Sequence, residues 1–149
     1  MTARKAFAAN FREIHPKFSR FYVQVLQSAG VSLPQYALLN QLAHSGPVSM
    51  TEVSGRLQIT KPAVTNLVDR LEEKKCLRRL PHPKDRRVIL LTLLPKGAKL
   101  VRRVQTAGLN LLLKAYDHFN ETEHAVISRF YSSLSKTLDQ LSLKEKHGL

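Results

Sequence analysis

Residues 49–93, SMTEVSGRLQITKPAVTNLVDRLEEKKCLRRLPHPKDRRVILLTL, decide the fold of this chain. Ser49 and Glu52 have the S-x-x-E spacing of a capping box, which predicts the start of a short helix. Thr60, followed by Pro62 in the tolerant first turn, predicts the start of a second helix. Within that second helix the apolar residues recur at helical spacing, so one face is core and the other is free.

A β-hairpin is predicted directly after this helix, which spans about residues 60–75. Leu77 to Leu80 form a short apolar and basic run, the polar turn HPKDRR follows, and Val88 to Leu94 form a second, mostly aliphatic run. Two such runs around a proline-containing turn are typical of paired strands. The hairpin occupies about residues 77–94 and has a basic tip.

Helices are predicted on the N-terminal side of this segment. Apolar residues follow one another at intervals of 4, 3, 4, 3 and 4, the period of a helix that buries a narrow stripe: Phe7, Phe11, Ile14, Phe18, Phe21 and Val25. Pro16 predicts either a kink or a restart of this helix, and Gly30 ends it. Ser32 and Gln35 form another capping box, which opens a helix to about His44.

Two further helices are predicted after the hairpin, one beyond Pro95 and a last one opening at Asn120. The last helix carries its own apolar stripe, at Ile127, Phe130, Leu134, Leu138 and Leu141. A narrow stripe on a terminal helix needs a partner, so we expect residues 1–30 and 96–149 to form a helical dimerisation region. Residues 31–95 form a separate lobe, and the fold class is mainly α with a minor β component.

The charge of the chain favours a polyanionic partner. The formal net charge is +13, and Lys and Arg are concentrated between Lys61 and Arg103, so counterion release favours nucleic acid. The single cysteine, Cys76, allows no internal disulfide, which indicates a reducing, cytoplasmic location. The N-terminus lacks the apolar core of a signal peptide, and the longest nearly apolar run is too short to cross a membrane.

A short capped helix, a turn, a second helix with a polar face and a basic hairpin together make a winged helix-turn-helix. The N-terminal half of the second helix supplies the candidate residues for reading a major groove: Thr60, Lys61, Pro62, Ala63, Thr65, Asn66 and Arg70. The hairpin tip supplies Lys84, Asp85, Arg86 and Arg87 for a minor groove. A carboxylate would repel phosphate, so Asp85 is expected to hold an arginine or loop amides.

The stretch TKPAVTNLVDRLEEKKCLRRLPHPKDRRVILLTLLPKG, with SMTEVSGRLQ before it, resembles regulators of the MarR family. The resemblance implies a homodimer on a pseudo-palindromic double-stranded DNA operator, and repression relieved by a small aromatic or phenolic anion. It also implies that Arg87 enters the minor groove while Asp85 supports the wing. Cys76 stands where the family usually has a glycine, a position that often needs a positive φ.

Other readings of the same residues remain open. The aromatic side chains of the first two helices, with a nearby cation, are candidates for an effector pocket: Arg12, Phe18, Phe21, Tyr22 and Tyr36. Cys76, flanked by cations, is a candidate oxidant sensor, and a non-specific basic DNA-binding protein is a further alternative. The sequence has no catalytic motif and no histidine or cysteine pattern for a metal, so we expect neither an enzyme nor a cofactor.

Overall fold

The computed structural model describes residues 2–146, and the side chains of residues 2–141. This part of the chain contains six helices and three strands: α1 (Ala3–Ala29), α2 (Leu33–Ser45), β1 (Val48–Ser49), α3 (Met50–Leu57), α4 (Lys61–Glu73), β2 (Leu77–Pro81), β3 (Ile89–Leu93), α5 (Pro95–Tyr116) and α6 (Glu121–Lys146). The mainly α fold class and the order of helices around one hairpin are confirmed.

The helix starts that the sequence predicts from capping residues are present. Ser32 Oγ accepts from the Gln35 N–H at 3.3 Å, and Gln35 Oε1 accepts from the Ser32 N–H at 3.0 Å. The same reciprocal pair joins Ser49 and Glu52 at the start of α3. At the start of α4, Thr60 Oγ1 accepts from the Ala63 N–H at 3.3 Å. Side chains thus satisfy N–H groups that the first turns leave unpaired.

The first helix has the length that the sequence predicts and continues through Pro16. α1 runs unbroken from Ala3 past Pro16 to Ala29, so the predicted alternative of a restart at Pro16 is wrong. A proline removes only one backbone hydrogen bond, and 27 residues of helix tolerate that loss. The helix ends where predicted, at Gly30, which has a φ of 72°. This left-handed conformation costs glycine little because it has no Cβ.

The sheet has a strand that the sequence did not reveal. β3 is central and pairs antiparallel with β2 on one side and with β1 on the other. β1 is only two residues long, with Val48 opposite Leu91 and Ser49 opposite Leu90. Such a segment is too short to show the alternation that identifies strands. It connects the start of α3 to the middle of β3.

Residue contacts divide the chain into two compact units, and the boundary falls between Gly108 and Leu109. The first unit contains the hydrophobic core, to which α2, α4 and the sheet contribute side chains that are 0–2% exposed: Leu38, Leu39, Leu42, Val64, Val68, Leu71, Leu77 and Leu91. In the second unit the described side chains of α6 include none that is buried. None of the described helices is long and apolar enough to span a membrane.

The exit from α4 differs from the expectation for Cys76. The positive φ of 57° belongs to Lys75, one residue earlier. Cys76 is instead a core residue, 1% exposed, whose N–H donates to the Leu71 carbonyl. Burial raises the pKa of its thiol and outweighs the opposite influence of Lys96 and Lys74. A buried, protonated thiol disfavours the oxidant-sensor hypothesis.

The backbone of Cys76 lies directly against the first turn of α5. Its carbonyl accepts from the Leu94 N–H at 2.9 Å. A Cβ on Gly97 would collide with that same carbonyl and would lie 2.8 Å from Leu93 Cδ1. Only glycine therefore allows α5 to approach the base of the hairpin this closely.

We expect Gly97→Ala to destabilise the fold, because the Cys76 carbonyl is backbone and cannot move aside. The loss should be about 1–3 kcal/mol or more, the scale of overpacking in a core. Gly55→Ala is the matched control, because a Cβ on Gly55 in α3 would meet nothing within 4 Å. That variant should gain about 0.5–1 kcal/mol of stability, since alanine has the higher helix propensity. Urea unfolding measures both; equal stability of the two variants would contradict the close contact.

We expect Cys76 to react with thiol reagents only when the protein opens. Its raised pKa lowers the thiolate fraction below that of an unfolded chain at the same pH, and its burial blocks access. Labelling with iodoacetamide should therefore be slow in buffer and should accelerate through the urea unfolding transition. Fast labelling of the folded protein, with unchanged circular dichroism, would restore the sensor hypothesis.

Candidate nucleic-acid interface

Helix α4 separates its apolar and polar side chains onto two faces. Val64, Val68 and Leu71 are 0–1% exposed and fix one face against the core. The residues predicted to read a major groove lie on the other face. Ala63 is half-buried, and the others are exposed: Thr60, Lys61, Pro62, Thr65, Asn66 and Arg70. A helix presented in this way has the dimensions to enter a major groove.

Not every polar group on this face is free to contact a ligand. Thr60 Oγ1 caps the helix, and the Thr65 hydroxyl donates to the Lys61 carbonyl at 3.2 Å. The side chains of Asn66 and Arg70 line a cleft of about 310 Å³ together with Gln35 at the start of α2. An amide can pair with adenine and a guanidinium can reach guanine or phosphate, so these two positions have the chemistry for base readout.

The tip of the hairpin is braced from within. Asp85 Oδ1 accepts from the Arg87 N–H at 3.0 Å and lies 3.5 Å from Arg87 Nε. The Asp85 carbonyl accepts from the Val88 N–H, and the His82 N–H donates to the Val88 carbonyl. Asp85 therefore has the orienting contacts expected from the sequence. The Arg87 side chain remains 94% exposed and extends from a fixed turn into solvent.

The surface formed by α4 and the hairpin tip is electropositive. Within the described residues, the ion pairs do not involve the exposed cations of this surface, Lys61, Arg70, Lys84 and Arg86. Unpaired cations on a helix and an adjoining hairpin attract a polyanion and release its counterions on binding. This arrangement is the electrostatic footprint of a nucleic-acid-binding surface.

Sequence reasoning missed the part played by Arg79 in β2. Its guanidinium lies 2.5 Å from Asp69 Oδ1 and 2.5 Å from Glu72 Oε2, both on α4. Burial alone would lower the pKa of Arg79, but its hydrogen bonds to these carboxylates raise it. The spacing of Asp69 and Glu72, three residues apart on one helix face, was the available signal. Without the turn geometry, nothing in the sequence linked them to Arg79 rather than to Arg78.

The aromatic residues proposed as an effector pocket come together in part. The rings of Phe18, Phe21 and Tyr22 have centroids 5.7–6.5 Å apart on α1. Burial raises the pKa of Tyr36 on α2, and nearby Tyr22 adds to this effect. Arg12 is exposed and lies ten residues before Tyr22, about 15 Å along the helix. The structure therefore groups Phe18, Phe21 and Tyr22, places Tyr36 within electrostatic range of Tyr22, and separates Arg12 from Tyr22.

The histidines and acids of the α5–α6 turn form no metal site among the described residues, where no three His, Cys, Asp or Glu side chains converge. His124 instead stacks on Tyr116 with ring centroids 3.8 Å apart, and its Nε2 lies 2.9 Å from the Tyr116 carbonyl. This histidine has a structural role at the end of α5.

Comparison with known proteins matches this geometry. A sequence profile described as the MarR family matches residues 29–88, which include α2, α3, α4 and the hairpin tip. The HTH-type transcriptional repressor MdtR of Bacillus subtilis is 28% identical over 144 residues, covering 94% of this chain and 90% of MdtR.

Solved structures share the fold over most of the chain. The transcriptional regulator Tm0710 of Thermotoga maritima has a TM-score of 0.74 and 27% identity, covering 91% of this chain and 96% of its own. A point mutant of S. aureus MepR, solved bound to an oligodeoxyribonucleotide, has a TM-score of 0.71 and 26% identity over 91% of this chain and 97% of its own. Such relatives regulate transcription and are not enzymes. In its sequence profile, its relatives and its fold, the chain thus resembles the MarR family of transcriptional regulators.

Proposed function

We propose that this chain is a MarR-family transcriptional regulator, a cytoplasmic homodimeric repressor that binds a pseudo-palindromic operator. The proposal rests on two exposed features of the same lobe. One is the polar face of α4, and the other is Arg87 at the tip of the hairpin, which we call the wing. The α4 helices of two copies enter successive major grooves about one helical turn apart, and each wing enters a flanking minor groove. The candidate base readers are Thr60, Lys61, Pro62, Ala63, Thr65, Asn66 and Arg70.

The contacts within the wing support a minor-groove role. Lys84 and Arg86 contribute charge beside Arg87, and Asp85 orients Arg87, whose side chain is 94% exposed. An arginine held at the tip of a narrow hairpin suits the electronegative minor groove of A·T-rich DNA. The structure of a MepR mutant bound to an oligodeoxyribonucleotide supports DNA binding by a protein of this fold.

The terminal helices support a homodimer. On α1, Phe7, Phe11 and Ile14 are 50–56% exposed, and on α6 the apolar stripe that the sequence predicts has exposed members such as Leu134 and Leu138. Large apolar side chains in rows at helical spacing indicate surfaces that another chain covers. We assign residues 1–30 and 96–149 to this dimerisation region and residues 31–95 to DNA binding.

We further propose that a small aromatic or phenolic anion releases the repressor from DNA. The candidate site is the aromatic group of Phe18, Phe21, Tyr22 and Tyr36, which supplies ring faces and two hydroxyls for such a ligand. 2-Hydroxybenzoate and benzoate are suitable probes, with binding measured by isothermal titration calorimetry. Tyr22→Phe should weaken probe binding while operator affinity without ligand stays unchanged; probe binding unaffected in this variant would place the ligand elsewhere.

The experiment that tests the function is a binding titration across a salt series. An operator selected from a random duplex library is compared with a scrambled duplex, and the stoichiometry is measured by light scattering. We expect two chains per operator, a steep salt dependence, and operator affinity about a thousandfold or more above that for the scrambled duplex. Equal affinity for both duplexes would instead indicate a non-specific DNA-binding protein.

We expect Arg87→Ala to weaken operator binding by about 1–3 kcal/mol, because the minor-groove contact is lost. Arg78→Ala is the charge-matched control, since Arg78 is exposed in β2 and lies outside both the candidate DNA contacts and the dimerisation region. Fluorescence anisotropy with labelled operator measures both variants. Affinities that fall equally in the two variants would mean that Arg87 contributes only to net charge.

A further inference from the structure

A two-pronged ion pair joins helix α4 to the strand that leads into the wing. Arg79 Nη2 contacts Asp69 and Arg79 Nη1 contacts Glu72, each at 2.5 Å. The other Glu72 carboxylate oxygen, Oε1, accepts from the backbone N–H of Arg79 at 3.1 Å. Both ends of the Arg79 residue, backbone and side chain, are therefore held by the same helix. Bidentate contacts of this kind are more directional than a single ion pair.

The surroundings of Arg79 strengthen this link. Its side chain is 27% exposed, whereas that of Arg87 is 94% exposed, so solvent screens the Arg79 contacts less. Arg79 lines a cleft of about 390 Å³ between the hairpin, the start of α3 and α4, together with Thr65 and Arg87. Its guanidinium is already engaged by two carboxylates, unlike those of the free cations on the proposed reading surface.

The link constrains small changes in the roll of α4, to which apolar packing is less sensitive than a charge-assisted hydrogen bond. Asp69 lies between the proposed readers Asn66 and Arg70 in sequence, so a roll of α4 about its axis would displace all three together. The buried contacts of α4 are aliphatic, and such contacts have little directional preference. An ion pair with fixed geometry from β2 to α4 defines both the roll of α4 and its position relative to the wing.

We propose that Arg79 is a positioning residue for DNA recognition, which holds α4 and the wing in the one relative placement that lets both grooves be bound together. Arg79 does this through Asp69 and Glu72 and without contacting DNA itself. The inference rests on the proposed function, in which α4 and Arg87 bind the same operator half-site.

The experiment compares Arg79→Met with Arg78→Met in the full-length protein. Arg78 is the neighbouring residue in β2, is exposed, and has no ion pair within the described residues. Both variants remove one positive charge from the same strand, so their effect on net charge is equal. Affinity for the selected operator and for the scrambled duplex is measured at several salt concentrations, and folding is checked by circular dichroism.

We expect Arg79→Met to lower operator affinity at least about tenfold below that of Arg78→Met, the scale of losing an orienting charge-assisted hydrogen bond. The two variants should bind the scrambled duplex equally and should have the same salt slope on the operator. If Arg79 contacted phosphate directly, its loss would weaken both duplexes and reduce the salt slope by about 0.9 relative to the control. That result, or equal operator affinities, overturns the proposal.

Glu72→Gln tests the same link with Arg79 in place. Because the acceptor is weakened and no cation is lost, operator preference over the scrambled duplex should fall severalfold while scrambled-duplex affinity does not fall. In the double variant with Arg79→Met, the loss should not exceed that of Arg79→Met alone; additive losses overturn the proposal. If Arg79→Met fails to fold, Glu72→Gln carries the test.

A wild-type protein that shows no preference for the operator over the scrambled duplex would refute the proposed function. A selective wild-type protein whose Arg79 and Glu72 variants keep the same preference would refute this inference alone.

Discussion

The burial of one aliphatic face of α4 is the interaction on which the rest of the structure depends. Val64, Val68 and Leu71 are almost completely buried, and each such side chain contributes about 1.5–3 kcal/mol relative to exposure. Rotating α4 to present another face would forfeit most of that free energy. The polar residues of the same helix therefore face outward as a consequence of core packing. The surface proposed to contact DNA is the complement of the surface that holds the helix in place.

The backbone around Cys76 connects α4 to the hairpin and to the first turn of α5. Lys75 takes the left-handed conformation that turns the chain, the Cys76 N–H bonds back to Leu71, and the Cys76 carbonyl receives Leu94 beside Gly97. A single short segment thus sets the positions of α4, the base of the wing and the first turn of α5. Close packing at this point leaves no space for a Cβ on Gly97, which makes the junction stiff.

Carboxylates near the proposed DNA surface are used as internal supports. Asp85 binds the backbone of the wing, and Asp69 and Glu72 bind Arg79. Each acid would repel a phosphate if it pointed outward, and each instead fixes a donor of the protein. The net positive charge of the region is therefore carried by cations that remain free. The carboxylates thus orient arginine side chains and the hairpin backbone, while the unpaired cations provide the positive charge proposed to contact DNA.

Much of this architecture follows from the sequence because its signals are local. Capping residues such as Ser32, Ser49 and Thr60 act within three residues, and the apolar period of a helix acts within a few turns, so helix starts, the hairpin and the exposed face of α4 could all be predicted. The two-residue strand β1, the shift of positive φ from Cys76 to Lys75, and the pairing of Arg79 with Asp69 and Glu72 could not. The positive φ of Lys75 belongs to the end of α4 itself, where the Cys76 N–H donates to the Leu71 carbonyl. The strand β1 and the pairing of Arg79 depend instead on segments brought together by the turn after α4 and by the sheet, so no local pattern encodes them.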